Sequence, residues 1–199
     1  MTVRSLFPTL LCETEIGDAG LLEELAHSIR SLARDDQAGI RWSRDKAYAG
    51  YTSYASLNDL PKRDPVIADL AKLLAKHAAK FAADAGLDLG RKPRLDSLWV
   101  NLLKGGGHHS GHIHPHSILS GTLYVEVPKG SGDIRYEDPR AGLMMAAPVR
   151  REDAAEYLQP YASVSPRPGL ILLWESWLRH EVMPHEGKGE RLSVSFNFA

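Results

Sequence analysis

The stretch Gly105-Gly-Gly-His-His-Ser-Gly-His-Ile-His-Pro-His-Ser117 organises this chain, because it holds five of the nine histidines. Neutral imidazole is the commonest protein ligand for transition metals. Residues two apart in an extended segment point the same way, so His112 and His114 can reach one metal ion. A second pairing, His114 with His116, has the same spacing. The alternative to any metal site is a solvated, histidine-rich turn.

Strand-like runs dominate the chain on both sides of this stretch, from Pro93 onward. They are short and separated by glycine and proline, a pattern that is typical of a β-sandwich or barrel. The predicted strands are 94–104, 118–127, 132–136, 161–165, 169–175, 178–183 and 191–198.

Helical periodicity characterises much of the first half of the chain. Asp18 suits the N-cap of a first helix that ends by Gly39 at the latest. Asp64 and Pro65 begin a second, clearer helix, which Gly86 can end. Helices followed by antiparallel strands, without βαβ alternation, predict an α+β fold in which two helices pack against one face of a sheet.

Two further segments of the first half carry expectations. Residues 5–16 predict an opening strand, and Pro8 favours an edge position for it. Residues 40–62 look irregular and contain Tyr48-Ala-Gly-Tyr-Thr-Ser-Tyr54. They predict a long loop, which forms either part of a substrate rim or a packed surface loop.

Composition argues against several functional classes. The 199 residues are 43% hydrophobic and 25% charged, with a net charge of −1, which disfavours nucleic acid or an anionic membrane as the main partner. No window resembles a membrane span, and the N-terminus lacks the apolar region of a signal peptide. Cys12 is the only cysteine, so no intrachain disulfide can form. A reducing, cytoplasmic location is therefore expected.

Two features near the C-terminus point to the same site. Trp177-Leu-Arg-His180 follows an apolar strand, where an isolated histidine is well placed to be a third metal ligand. The run 191–198 alternates strictly, with polar side chains at odd positions and apolar ones at even positions. The apolar face should meet the helices. On the polar face, Arg191 and Ser193 suit a carboxylate; the alternative is a solvent-facing edge strand.

Six motifs carry a resemblance to a known family. They are His112-Ile-His114, Ser120-Gly-Thr-Leu-Tyr-Val125, Gly132-Asp-Ile-Arg-Tyr-Glu-Asp-Pro-Arg140, Pro168-Gly169, Trp177-Leu-Arg-His180 and Arg191-Leu-Ser-Val-Ser-Phe-Asn197. Together they resemble a bacterial family of 2-oxoglutarate- and Fe(II)-dependent oxygenases, distant relatives of prolyl hydroxylases. The resemblance covers roughly residues 95–198. It implies a double-stranded β-helix, or jelly roll, and a single domain in which residues 1–92 support a core formed by 93–199.

The resemblance also implies roles for individual residues. His112, His114 and His180 would bind iron, and His108 and His109 would be loop residues or occasional neighbours of the ligands. The co-substrate 2-oxoglutarate would be bound by Arg191, Ser193 and Tyr124 at its far carboxylate and by Asn101 at its other end. Apart from the resemblance, the sequence offers Tyr51, Trp174 and Trp177 as candidates for the substrate rim, with a core position as the alternative for the two tryptophans. The implied reaction hydroxylates a small-molecule or protein substrate and releases succinate and CO2, and a homodimer is one option for assembly.

One departure from the wider superfamily concerns His114, which stands where an aspartate or glutamate is usual. Three neutral imidazoles leave the metal its full 2+ charge, so Ni, Zn and Mn are alternatives to Fe(II). Two other functions remain open at this point. One is a cupin-like three-histidine metalloenzyme that does not use 2-oxoglutarate, and the other is a non-catalytic metal-binding module. Three ligands with an open face argue against a purely structural metal.

Overall fold

A computed structural model describes residues 1–199 and contains ten β-strands, four α-helices and two short 3-10 helices. The strands are β1 (Leu11–Glu15), β2 (Gly50–Thr52), β3 (Leu95–Leu103), β4 (His109–His112), β5 (Leu119–Glu126), β6 (Ile134–Glu137), β7 (Tyr161–Val164), β8 (Leu170–Glu175), β9 (His180–Val182) and β10 (Arg191–Phe198). The helices are α1 (Ala19–Asp35), α2 (Gln37–Asp45), α3 (Leu60–Arg63) and α4 (Pro65–Asp84), and the 3-10 helices span Ala141–Leu143 and Glu156–Leu158.

The strands form two sheets in which every pair is antiparallel. The larger sheet has the order β1-β8-β5-β10-β3-β2, and the smaller one has the order β4-β9-β6-β7. The predicted strands all correspond to observed ones, and β1 lies at a sheet edge as expected, although it begins at Leu11 and so does not include Pro8. The α+β class predicted from the sequence is confirmed.

The alternation of β10 separates the core from the interior between the sheets. Leu192, Val194, Phe196 and Phe198 are fully buried in one apolar cluster with α1 and α4. Burying such a side chain contributes roughly 1.5–3 kcal/mol. A second, smaller cluster lies on the opposite face of the larger sheet and includes Tyr124. The helices therefore cover one face of the larger sheet and leave its other face to the polar residues of β10.

Helix boundaries follow the predicted caps. The side chain of Asp18 accepts a hydrogen bond from the amide of Leu21 at the start of α1. The carboxylate of Asp64 accepts bonds from the first amides of α4, and Gly86, with a φ of +69°, ends that helix in the left-handed conformation that favours glycine. None of the helices combines the length and the apolarity that crossing a membrane requires.

The prediction of an irregular segment over residues 40–62 is wrong in part, because the segment contains most of α2, all of β2 and the first three residues of α3. Asp36 caps α2 by accepting the amide of Gly39 at 3.1 Å, so Gly39 lies inside a helix. A Cβ at Gly39 would come within 2.8 Å of the ring of Tyr51. Glycine is needed here for close packing and does not mark the end of the helical region.

The cap of α4 provides a test of this account of the fold. Replacing Asp64 with alanine leaves the first amides of α4 without their acceptor, so we expect a loss of about 1 kcal/mol in the free energy of unfolding. Urea denaturation measures it. Asp69→Ala is the matched control on the same helix, because Asp69 makes only an exposed ion pair with Lys72 and should change stability by no more than about 0.5 kcal/mol. Equal losses in the two variants would contradict the capping role.

Candidate metal centre

Three histidines from neighbouring segments of the smaller sheet converge on one point. His112 ends β4 and lies directly opposite His180, the first residue of β9. His114 follows two residues later, and its backbone amide is held in place by a hydrogen bond that it donates to the carbonyl of Ser176 at 3.0 Å. One ring nitrogen from each histidine lies within 4.8 Å of the others, and the Nε2 atoms of His114 and His180 are 3.3 Å apart. This spacing fits three ligands around one ion.

Backbone carbonyls fix which nitrogen of each outer histidine faces this point. The Nδ1 atom of His112 lies 2.7 Å from the carbonyl of Ser110, and that of His180 lies 2.9 Å from the carbonyl of Leu178. A carbonyl only accepts, so Nδ1 carries the proton in both rings and Nε2 presents a lone pair. Hydrogen bonds of this kind are the usual support of a metal-binding histidine.

Burial keeps the rings of His114 and His180 neutral. Desolvation lowers the pKa of His180 to about 3 and that of His114 to about 4, and the neighbouring His112 contributes in the same direction. Both rings are therefore unprotonated at neutral pH and free to bind a metal without first losing a proton.

A cavity of about 290 Å³ adjoins the three histidines and extends between the two sheets. All four polar residues of β10 line it: Arg191, Ser193, Ser195 and Asn197. Tyr124 and Asn101, the two other residues predicted to contact 2-oxoglutarate, line it as well. The sequence-predicted metal ligands and co-substrate residues thus surround one space.

Arg191 is the one permanently charged side chain of this cavity, and it is 2% exposed. Its Nη1 donates to the carbonyl of Gly132 at 3.1 Å, while its buried Nε has no partner. The guanidinium lies 5.7 Å from the ring centroid of Tyr124. No carboxylate lines the cavity, and burial lowers the pKa of Arg191. Its charge is therefore largely uncompensated in the protein alone.

The hydroxyl of Tyr124 is a second donor beside Arg191. Burial raises the pKa of Tyr124 to about 12, so the hydroxyl stays protonated at neutral pH. Ser193 lies directly opposite both Tyr124 and Asn101 in the sheet. Asn101 accepts from Thr52 at 2.8 Å and donates to Ser195 at 3.1 Å, which fixes the orientation of its amide.

The three residues suggested for the substrate rim have different positions. Trp174 lines the cavity and packs edge-on against His180, with ring centroids 4.7 Å apart. Tyr51 points away, because its hydroxyl donates to Asp36 at 2.9 Å behind β2. Trp177 is 48% exposed and outside the cavity lining, and its indole donates to Glu175. Of the three, the structure brings only Trp174 to the cavity.

Several cavity residues were not singled out from the sequence. Tyr48 is one of them, and it lies against His109, which was expected in a loop or as a neighbour of the ligands but begins β4; the Nε2 of His109 is 3.0 Å from the tyrosine hydroxyl, and both residues line the cavity. Trp99 stacks on His114 at 5.9 Å between ring centroids. The signal that could have found Trp99 is its spacing of two from Asn101 on β3, which puts both side chains on one face.

The other two histidines of the opening stretch lie outside the site. His108 and His116 are both exposed and neither lines the cavity. The backbone of His116 has a φ of +72°, which is uncommon outside glycine and turns the chain after Pro115.

Comparison with known proteins places these features in a family. The sequence matches the family described as "Putative 2OG-Fe(II) oxygenase" over residues 97–197. No curated protein matches the chain.

Three solved structures share the fold. A Pseudomonas putida prolyl-4-hydroxylase is 20% identical, with a TM-score of 0.59 over 96% of this chain and 92% of that one. SnoN, the non-heme alpha ketoglutarate dependent epimerase from nogalamycin biosynthesis, is 19% identical, with a TM-score of 0.64 over 96% and 78%. HygX from Streptomyces hygroscopicus, solved with nickel and 2-oxoglutarate bound, is 16% identical, with a TM-score of 0.60 over 96% and 82%. These similarities confirm the jelly-roll architecture predicted for the core.

Proposed function

The chain belongs to the 2OG-Fe(II) oxygenase family, and from this premise we propose that His112, His114 and His180 hold its iron and that Arg191 anchors its 2-oxoglutarate. The enzyme is an oxidoreductase that depends on Fe(II) and 2-oxoglutarate. The observation that carries the assignment of residues is that one cavity contains both the three histidines and a buried, uncompensated arginine.

The donor set suits a transition metal. Three imidazole nitrogens, two of them with their tautomer set by a carbonyl, offer lone pairs to one point. Imidazole is a good ligand for Fe, Ni and Zn alike, so the residues accept iron without selecting it strongly. The histidine at position 114 adds no negative charge, and the ion therefore keeps more of its attraction for anionic co-ligands than it would beside a carboxylate.

The deep end of the cavity suits the distal carboxylate of 2-oxoglutarate. A carboxylate beside Arg191 would give the orphaned Nε an acceptor and compensate the buried charge. The hydroxyls of Tyr124 and Ser193 are close enough on adjoining strands to add two neutral donors. A dicarboxylate is favoured over a monocarboxylate, because one end can meet the metal while the other meets Arg191.

Bound iron with 2-oxoglutarate and O2 supplies the oxidising power, and succinate and CO2 are released. The protein supplies position and a dry environment. Trp174 and the carbonyl of Leu178 together hold the ring of His180 in one orientation. Ile134 and Val182 cover the cavity from the smaller sheet and limit the access of water. The fixed amide of Asn101 and the hydroxyl of Ser193 can orient the co-substrate along β10.

The wider assignments are also part of this proposal. We propose a small-molecule or protein substrate, no nucleic-acid partner, and a homodimer as the assembly to test first. Two apolar clusters occupy opposite faces of the same sheet, which supports a single domain over residues 1–199. The lone Cys12 supports a cytoplasmic location.

An anaerobic titration tests the site directly. Adding Fe(II) and then 2-oxoglutarate to the metal-free protein should produce the visible charge-transfer absorption of a metal-chelated keto acid. Succinate, which has no keto group, is the matched control and should give none. Absence of the band with 2-oxoglutarate, in protein that has bound Fe(II), would count against the 2-oxoglutarate site and in favour of a three-histidine metalloenzyme of another kind.

Stability gives an independent measurement of the same assignment. A ligand that binds only the folded state stabilises it, by about 2.7 kcal/mol at a free concentration of 100 times its Kd. We therefore expect Ni(II) to raise the Tm of the metal-free protein and 2-oxoglutarate to raise it further only when Ni(II) is present. A chelator should reverse both shifts. A 2-oxoglutarate effect that does not need the metal would contradict binding across the metal and Arg191.

A further inference from the structure

The outer end of the cavity is lined by aromatic and apolar side chains. Trp42 on α2, Tyr54 after β2 and Trp99 on β3 form a row, here called the aromatic row. The ring centroids of Trp42 and Tyr54 are 6.2 Å apart, and those of Tyr54 and Trp99 are 5.3 Å apart. Tyr54 is 62% exposed, and Ile113, also 45% exposed, lines the same outer end. Tyr54 is the exposed member of this row, whereas Trp99 is only 9% exposed, and neighbouring ring planes in the row are inclined by 55° and 73°.

The aromatic row leads directly to the metal ligands. Trp99 at its inner end stacks on His114, with ring planes 30° apart and centroids 5.9 Å apart. A molecule lying against Tyr54 and Trp99 would therefore have its inner end at the open side of the three histidines. This is where a substrate of the proposed oxygenase has to place the bond that reacts.

Charge along the cavity restricts what this molecule can be. The lining contains no aspartate or glutamate, so an amine or other cation would find no acidic partner. The only fixed cation, Arg191, is buried at the inner end and is engaged by the co-substrate in the proposed function. An anionic substrate would therefore also lack a charged partner.

Neutral hydrogen-bonding groups lie between the aromatic row and the inner end. Thr52, Asn101 and Ser195 form a hydrogen-bonded chain across three adjacent strands. Asn101 uses one amide hydrogen on Ser195, which leaves the other for the co-substrate, and Ser195 accepts that bond and so keeps its own hydroxyl hydrogen to donate. Ser195 can therefore recognise a hydroxyl, carbonyl or amide oxygen of an uncharged ligand.

From this arrangement we propose that the substrate is a small, uncharged ring compound, which lays one ring face on the exposed Tyr54 of the aromatic row and offers an oxygen acceptor to Ser195. The proposal rests on the proposed function and deepens it. Aromatic stacking and hydrogen bonds to uncharged side chains provide the recognition. The outer end of the site is too apolar to select a charged head group. Flat ring faces of this kind belong to aromatic rings and to sugar-type rings, which the experiment separates.

Calorimetry on the protein loaded with Zn(II) and 2-oxoglutarate tests this proposal. The binding of Zn(II) and of 2-oxoglutarate is measured first, so a failure of those sites is distinguished from a failure of the substrate site. The probes are benzamide, benzamidine and benzoate, which share one flat shape and differ in charge, and a neutral methyl pyranoside. We expect benzamide or the pyranoside to bind at least about tenfold more tightly than benzamidine and benzoate. Tighter binding of either charged probe, or no binding of both neutral probes at millimolar concentration, would overturn the proposal while leaving the metal and 2-oxoglutarate sites standing.

Variants of the aromatic row give the second arm of the test. Tyr54→Ala should weaken the neutral probe roughly tenfold, as the loss of one stacking ring does elsewhere, and Tyr54→Phe should restore most of that binding. Tyr157→Ala is the matched control, because Tyr157 is 66% exposed and does not line the cavity. An unchanged affinity in Tyr54→Ala, or an equal loss in Tyr157→Ala, would overturn the assignment of the row.

Discussion

Replacing Arg191 with methionine raises the Kd of 2-oxoglutarate by about two to three orders of magnitude, because it removes the charged partner of a desolvated carboxylate. Methionine fills a similar volume without donors, so the shape of the cavity is largely kept. Titration of 2-oxoglutarate into the anaerobic Fe(II)-loaded variant, followed by its visible absorption, measures the change. Arg167→Met is the matched control, since Arg167 is exposed and pairs with Glu15 far from the cavity.

The same substitution, which weakens co-substrate binding, should stabilise the protein when no ligand is bound. Arg191 is 2% exposed, has an orphaned Nε and has no carboxylate partner in the cavity. A buried cation in this state lowers stability. We therefore expect the free energy of unfolding of metal-free Arg191→Met to be about 1 kcal/mol higher than that of the parent protein. A variant that is destabilised and still binds 2-oxoglutarate normally would contradict both the site and the charge argument.

Replacing His180 with alanine removes most bound metal. Loss of a group that merely supports a metal ligand costs about 10- to 100-fold in affinity, and loss of a ligand itself should exceed that. The metal content after dialysis, measured by atomic emission, should fall from one equivalent to near zero. Unfolding is monitored in parallel, because His180 is buried against Trp174.

His116→Gly is the control that separates the two possible His-x-His pairs. His116 is exposed and has a positive φ, which glycine adopts without strain, so the variant should keep its fold and its full metal content. Full metal content in His180→Ala together with loss in His116→Gly would overturn the ligand assignment and favour the pair of His114 with His116.

Sequence reasoning was effective where one periodicity decides the environment of a side chain. The alternation of β10 predicted that Leu192 and Phe196 meet the helices, and they do. It also predicted the polar face, on which Arg191 and Ser193 now line the cavity with the histidines. Both results follow from the fixed period of two in a strand, which needs no knowledge of the partner strands.

Sequence reasoning was weaker where a distant contact decides. The first helix ends before Gly39, as predicted, but Asp36 then caps a second helix, α2, in which Gly39 packs against Tyr51 from the next strand. Trp177 was placed near the substrate because it lies close to His180 in sequence, yet its indole turns outward to Glu175. Neither the packing of Gly39 nor the orientation of Trp177 can be predicted from local spacing, since each depends on a contact that forms only when the chain folds.

Strand β10 has a consequence for how this enzyme can diverge. Its even residues belong to the apolar core and its odd residues belong to the cavity. A substitution at an odd position changes the chemistry of the cavity and leaves the core intact, so specificity can drift while the fold survives. An insertion or deletion of one residue within the strand would exchange the two sets, burying Arg191 under the helices and exposing leucine to the metal. We expect descendants of this chain to vary at Ser195 and Asn197, to keep Arg191 for the co-substrate, and to keep the length of β10.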